Sequence, residues 1–217
     1  MKRIFFSLFF LAFIYSCNSD DDAQTSDEQE TNFYALTVGN SWVYKNYRYS
    51  TQTQTYDDAN VIDSVSIVGK EVLNGNEYFK FRRFTTGNTN NSIFFYPDGE
   101  HFELLRDSLG FLVRDDGSIK YINNFFDEVL MTSEDWGDVY VHLQDDTEVV
   151  NTAAGTFNSA VMLRYAYIGV DNTELAEGQE RYNYSDGIGL VFNTTSTVNA
   201  PIHFGERRLD SYSIVEE

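Results

Sequence analysis

Disulfides, prolines and tryptophans are nearly missing from this chain of 217 residues, which holds one Cys, two Pro and two Trp. A single Cys permits no intrachain disulfide. Packing has to hold the fold instead, and at this size about 70% of the unfolded surface can be buried. Basic residues are scarce too: 15 Lys and Arg stand against 34 Asp and Glu, a formal net charge of -19. So acidic a chain repels phosphate backbones and lacks the clustered cations that release counterions on binding, which excludes nucleic acid as a main partner. The apolar run at residues 4–15, broken only by Ser7, is too short to cross a bilayer. As a helix it reaches roughly 18 Å, against a hydrocarbon core of about 30 Å. What the chain does hold in quantity is 18 Phe and 15 Tyr, an aromatic content that favours strands over disorder or helical repeats.

Met1, Lys2 and Arg3 followed by that short run read as a signal peptide over residues 1–16. The stretch Ile14-Tyr15-Ser16-Cys17 resembles the lipobox of bacterial lipoproteins, in which an apolar and then a small residue precede an obligatory Cys. That resemblance implies that Cys17 is the lipidated N-terminus of the mature chain and that the membrane is a partner through its acyl chains. Two or more such chains anchor stably, at about 0.8 kcal/mol per buried CH₂. Asp20, Asp21 and Asp22 directly behind it resemble the surface-export signal of Bacteroidetes lipoproteins, which implies an outer-membrane protein on the cell surface. Residues 17–32 carry further acids at Asp27, Glu28 and Glu30 and no large apolar side chain, the composition of a flexible, self-repelling tether. Residues 33–217 are expected to form a single all-β domain.

Two-residue alternation dominates that body. Val139, Val141 and Leu143 alternate with Asp138, Tyr140 and His142; Val161, Leu163, Tyr165 and Tyr167 alternate with Met162, Arg164, Ala166 and Ile168. Such a period puts one set on a core face and the other on a wetter face. Ile188, Leu190 and Phe192 share a parity as well, and further strands are expected at 41–53, 61–68, 77–84, 92–96, 101–106, 111–114, 118–122, 147–151 and 208–215. Asn74-Gly75, Gly87-Asn88, Asp98-Gly99, Asp116-Gly117 and Asp186-Gly187 accept positive φ and favour tight antiparallel hairpins. Residues 125–136 are the one weak helical candidate, a loop being the alternative. Connections are too short for crossover helices. The expected fold is an antiparallel meander curled into a barrel or half-barrel, which avoids exposed edges; a two-sheet β-sandwich is the alternative. No blade-length repeat recurs.

Familiar catalytic patterns fail one by one. Gly187-Ile188-Gly189 lacks the third Gly and the helix of a dinucleotide loop, and reads as a turn. Gly39-Asn40-Ser41-Trp42-Val43 has Gly on only one side of Ser and precedes a strand, so it is no nucleophile elbow. His101, His142 and His203 stand apart, without zinc-ligand spacing. The acids of residues 171–180 and the pairs Asp57-Asp58, Asp115-Asp116 and Asp145-Asp146 lack a calcium-loop pattern and fall in turns. No cofactor or metal is implied.

Gly155-Thr156-Phe157 before a long strand, Gly187-Ile188-Gly189-Leu190-Val191 after it, and the opening Val38-Gly39-Asn40-Ser41-Trp42-Val43-Tyr44 resemble a layout of uncharacterised Bacteroidetes surface lipoproteins. The resemblance implies a β fold and a cell-surface life, and brings no catalytic residues. The reading is therefore a lipid-anchored envelope protein with a non-enzymatic binding or structural role toward a surface ligand or protein partner. Two alternatives remain at this stage. One is a carbohydrate-active enzyme or sugar-binding protein, which requires facing carboxylates and an aromatic platform; the other is a carrier of an apolar ligand inside the curled sheet.

Overall fold

A computed structural model describes residues 32–215. Cys17, Asp20, Asp21 and Asp22 lie outside the described residues, as do the expected signal peptide and nearly all of the expected tether. The body is all strand: β1 (Ser41–Ser50), β2 (Thr55–Leu73), β3 (Asn76–Thr86), β4 (Gly99–Ser108), β5 (Phe111–Arg114), β6 (Ile119–Ile122), β7 (Val129–Glu134), β8 (Gly137–Leu143), β9 (Glu148–Thr152), β10 (Gly155–Ile168), β11 (Glu174–Leu175), β12 (Glu180–Ser185), β13 (Gly189–Thr195) and β14 (Gly205–Ser213).

Two meanders share one sheet. The first runs outward from β1 to β6, and the second returns from β7 through β8, β10, β12 and β13 to β14, which pairs antiparallel with β1. The sheet thereby curls into a barrel, closed where the first and last strands pair and unsealed between β6 and β7. Short β9 and β11 pair with β10 off this path. The curled antiparallel meander is the expected fold, and the chemistry of the turns explains the pairing. Asn74 and Gly75 adopt φ of 52° and 81°, the two consecutive positive values that a tight hairpin twisting with its strands requires.

The strands depart from the sequence reading in several places: β1 stops at Ser50 short of the expected residue 53, β2 extends over Thr55–Leu73 beyond the expected 61–68, and short β11 is additional. Residues 125–136 are neither helix nor loop throughout: Val129–Glu134 is a strand, hairpinned to β8 in register Thr132 with Val139. Its β-branched residues and a waiting partner outweigh the weak helical spacing. Residues 92–96 form no strand. The Asn88 side chain satisfies their backbone instead, accepting from Ser92 N at 2.8 Å and donating to Ser92 O and Tyr96 O at 3.1 and 3.0 Å, so no ladder is needed. The strand β12 was hidden because its apolar signal is carried by Tyr182 and Tyr184 among polar residues.

Below the barrel the first described residues act as a plug. Tyr34 is buried, donates its hydroxyl to Gly110 O at 2.5 Å, and packs edge to face on Tyr121 and Tyr184. These three rings join β5, β6 and β12 across the interior, in one core cluster with Leu105, Leu112, Val141, Leu143 and Met162. A second cluster holds Trp42, Tyr44, Ile67, Phe157, Val191 and Leu209. The segments that resemble the lipoprotein layout acquire physical roles here. Fully buried Asn40 donates to Ala35 O at 2.8 Å and accepts from Val215 N at 2.7 Å, tying the plug to the last described residue. The carbonyl of Ile188, in the turn before β13, accepts the Trp42 indole N–H at 2.7 Å. Gly189, at φ 87°, sits so close that a Cβ would touch Tyr34 O and the Trp42 ring. Phe157 enters the second cluster and packs on Tyr212.

Asn40→Ala strands the buried Ala35 carbonyl and the partly buried Val215 N–H at once. The expected loss is about 2 kcal/mol, from the desolvation of partners left unpaired; urea unfolding measures it, and a loss below about 0.5 kcal/mol would show that the plug is not held by this side chain.

Candidate functional site: the lumen of the barrel

Each inward-facing row of side chains changes character along its strand. On β3 the row runs Phe79, Phe81, Arg83, Thr85; on β4 Leu105, Glu103, His101; on β5 Leu112, Arg114; on β10 Met162, Arg164; on β14 Leu209, Arg207. An aromatic and aliphatic floor thus gives way to a belt of charge, because the period of two keeps alternate residues on one face whatever their polarity. Cross-strand register connects the belt: Arg207 lies opposite Asn46 and Asn193, Arg83 opposite Val65 and His101, Arg164 opposite Glu180.

Two adjoining chambers occupy this level. The first, of about 270 Å³, lies over Trp42, Phe81, Leu105 and Leu112; the second, of about 390 Å³, lies beside Met162, Tyr182 and Asn193. Tyr96, Arg114, Lys120, Tyr184, Leu190 and Arg207 wall both. Exposed Phe102 and Ile93 stand at their margins. The combined space falls in the range of small-molecule sites.

The electrostatics of the walls are unequal. Asp63 is wholly buried, accepts from Thr85 Oγ1 at 2.5 Å and from Asn46 Nδ2 at 3.0 Å, and forms an ion pair with Arg207 at 3.1 Å. The Arg207 Nε–H is not aligned on that carboxylate, so the contact is coulombic more than directional. Its guanidinium also covers the Tyr44 ring at 3.9 Å. Arg164 pairs with Glu180 at 2.9 Å. Glu103 is shared: Lys120 donates to it through a very short contact and Arg114 stands at 3.6 Å. Burial alone would raise the Glu103 carboxyl, yet Lys120, Arg114 and Arg83 together outweigh it and hold it below the ordinary carboxylate range. Burial pushes the Tyr44, Tyr182 and Tyr184 hydroxyls far above their ordinary values, so they stay protonated.

The sequence-level candidates are dispersed. His101 reaches the first chamber and contacts Pro97 O at 3.0 Å, His142 lies on β8, and the imidazole of half-buried His203 is held below its ordinary pKa by burial. Among the described residues no three His, Cys, Asp or Glu side chains gather as a metal ion would require. Ser41 simply opens β1 opposite Ser213 and Ser66. Tyr167 packs edge to face on both Tyr140 and Tyr165, and the Tyr165 hydroxyl donates to Glu128. Glu180, at the end of the acidic stretch 171–180, is no solvated loop charge but a lumen ion pair.

The cavity that a carrier needs is present, but its lining is mixed: a wholly apolar guest would have to desolvate the arginines. Glu103, which three cations hold below the carboxylate range, is shifted opposite to what glycoside hydrolysis asks of its general acid. Sequence reasoning singled out His101 but missed the arginines of the site. Their signal was there, as Arg83, Arg164 and Arg207 sharing parity with Phe81, Met162 and Leu209.

Fold and site together define an all-β barrel with one open seam and a polar, walled lumen. No protein-family model matches the chain and no curated protein matches it significantly. Among solved structures it is similar to a protein from Bacteroides fragilis described as exported and of YmcC-like fold, at 12% identity and a TM-score of 0.51, over 84% of this chain and 99% of that one. A protein from Parabacteroides distasonis described as a lipoprotein aligns over the same shares at 17% identity and a TM-score of 0.48. The former likeness establishes the fold.

Proposed function

We propose that this is a lipid-anchored protein of the outer membrane, displayed on the cell surface, whose barrel lumen binds a ligand without transforming it. The observation that carries the reading is the lumen: adjoining chambers of about 270 and 390 Å³ walled by aromatic and cationic side chains. Acyl chains on Cys17 hold the body at the membrane, Asp20, Asp21 and Asp22 direct it outward, and the acidic tether to residue 32 lets the lumen face the medium. The exported character ascribed to the Bacteroides fragilis protein of the same fold supports this address.

Metabolic labelling with an acyl precursor, followed by protease shaving of whole cells, tests the placement. Wild type is expected to label and to be shaved, Cys17→Ala to lose the label, and the triple alanine variant at Asp20, Asp21 and Asp22 to keep the label but resist shaving. Equal labelling of wild type and Cys17→Ala would overturn the anchor, and unaltered shaving of the triple variant would overturn the export role.

A further inference from the structure

The charge inside the barrel runs against the charge of the chain. A protein of net charge -19 places five of its 15 Lys and Arg, namely Arg83, Arg114, Lys120, Arg164 and Arg207, around two small chambers. Arg164 and Arg207 each have a carboxylate of their own. The other three share Glu103 alone, and Arg83 does not reach it closely enough for a salt bridge. Arg83 lies flat on the Tyr96 ring, 3.3 Å from its centre, and its buried Nε has no hydrogen-bond partner among the described residues. A buried donor without an acceptor is an unmet demand that protein interiors rarely leave standing. Low-dielectric walls focus the surplus positive potential into the chamber.

Resting on the binding role just proposed, we infer that the lumen selects an anionic amphiphile: one carboxylate, sulfonate or phosphate group seated between Arg83, Arg114 and Lys120, carried on an aromatic or aliphatic body that lies over Leu105, Leu112 and Phe81. The anion supplies the acceptor that Arg83 Nε lacks and balances the cations that Glu103 cannot balance alone. A planar guanidinium presents a fork suited to such a group. The floor excludes water from the body of the ligand, and the acidic exterior repels anions everywhere else, so the charge of the guest becomes a device of selection instead of general attraction.

Two fluorescent probes of nearly the same shape separate the terms: 1-anilinonaphthalene-8-sulfonate, which carries a sulfonate, and N-phenyl-1-naphthylamine, which does not. The mature chain is expected to bind the sulfonate at least about tenfold more tightly, a preference that shrinks as salt rises because part of it is coulombic. Arg83→Gln breaks no ion pair and should leave thermal unfolding nearly unchanged. It is expected to cut sulfonate affinity by about tenfold while binding of the neutral probe stays within twofold. Arg114→Gln gives the same result by a second route if Arg83→Gln fails to fold. Equal affinity for the two probes, or an unaltered preference in both variants, would overturn the anion site while leaving the lumen as a binding cavity. Failure of both probes to bind would instead overturn the binding role itself.

Discussion

Asp63→Ala is expected to be the most damaging single substitution in the barrel, with a loss of about 3–5 kcal/mol, because removing one partner of a buried pair leaves the other charge uncompensated. The carboxylate is fully buried, accepts from Thr85 and Asn46, and balances the charge of Arg207. Without it three donors on β1, β3 and β14 face one another in a dry space. For a domain of this size such a loss lowers Tm by about 6–20 °C, at roughly 2–4 °C per kcal/mol. Adding Arg207→Met should recover part of the loss, since the stranded cation goes with the carboxylate that balanced it; Asp63→Asn, which keeps the shape but turns a donor toward Arg207, should fall in between. Chemical denaturation of the three variants checks this order. A loss under about 1 kcal/mol for Asp63→Ala would mean that water takes over the role of the carboxylate, and that the belt is far wetter than its burial implies.

Tyr121→Ala should cost nearly as much, about 3–5 kcal/mol, by emptying the space of a large buried ring. The reason is particular to this barrel. Among the described residues strand β6 has β5 as its only ladder partner and β7 has only β8, and no backbone hydrogen bonds between them close the seam. Tyr121 spans the interior in their place: its hydroxyl donates to Ala160 O at 2.9 Å on β10, and its ring lies 4.0 Å from that of Tyr184 on β12. Tyr121→Phe removes the hydrogen bond alone and is expected to cost about 1 kcal/mol. Amide exchange supplies the independent reading. In Tyr121→Ala, protection of β5 and β6 should fall more than that of β1 and β2, since the seam strands depend on packing more than on pairing. Uniform loss of protection around the barrel would count against a role specific to the seam.

How far the sequence carried can be judged from single elements. The hairpin at Asn74-Gly75 was legible because two left-handed residues in a row have one common use. The hairpin at Leu109-Gly110 was not, because it holds an exposed leucine at φ 57°, a residue that carries no turn signal. Strand β7 was ambiguous in isolation and became a strand only against β8. Arg83, Arg164 and Arg207 stood in plain view on strands, yet alternation says only that two faces differ. A charged residue inside the apolar parity reads as a flaw in the pattern until closure of the sheet gathers several such residues around one space.

Local chemistry settled much of what depends on neighbours in the chain: antiparallel pairing from most of the turns, two-faced strands from the alternation, and packing without disulfides from the lone Cys. The tertiary structure decided what depends on distant residues meeting. It placed the seam between β6 and β7, seated Tyr34 as a plug, and enclosed a basic, aromatic lumen within an acidic protein. Net charge and periodicity are sums along a sequence, whereas a site is a sum over a volume, and only the curl of the sheet determines which side chains share that volume.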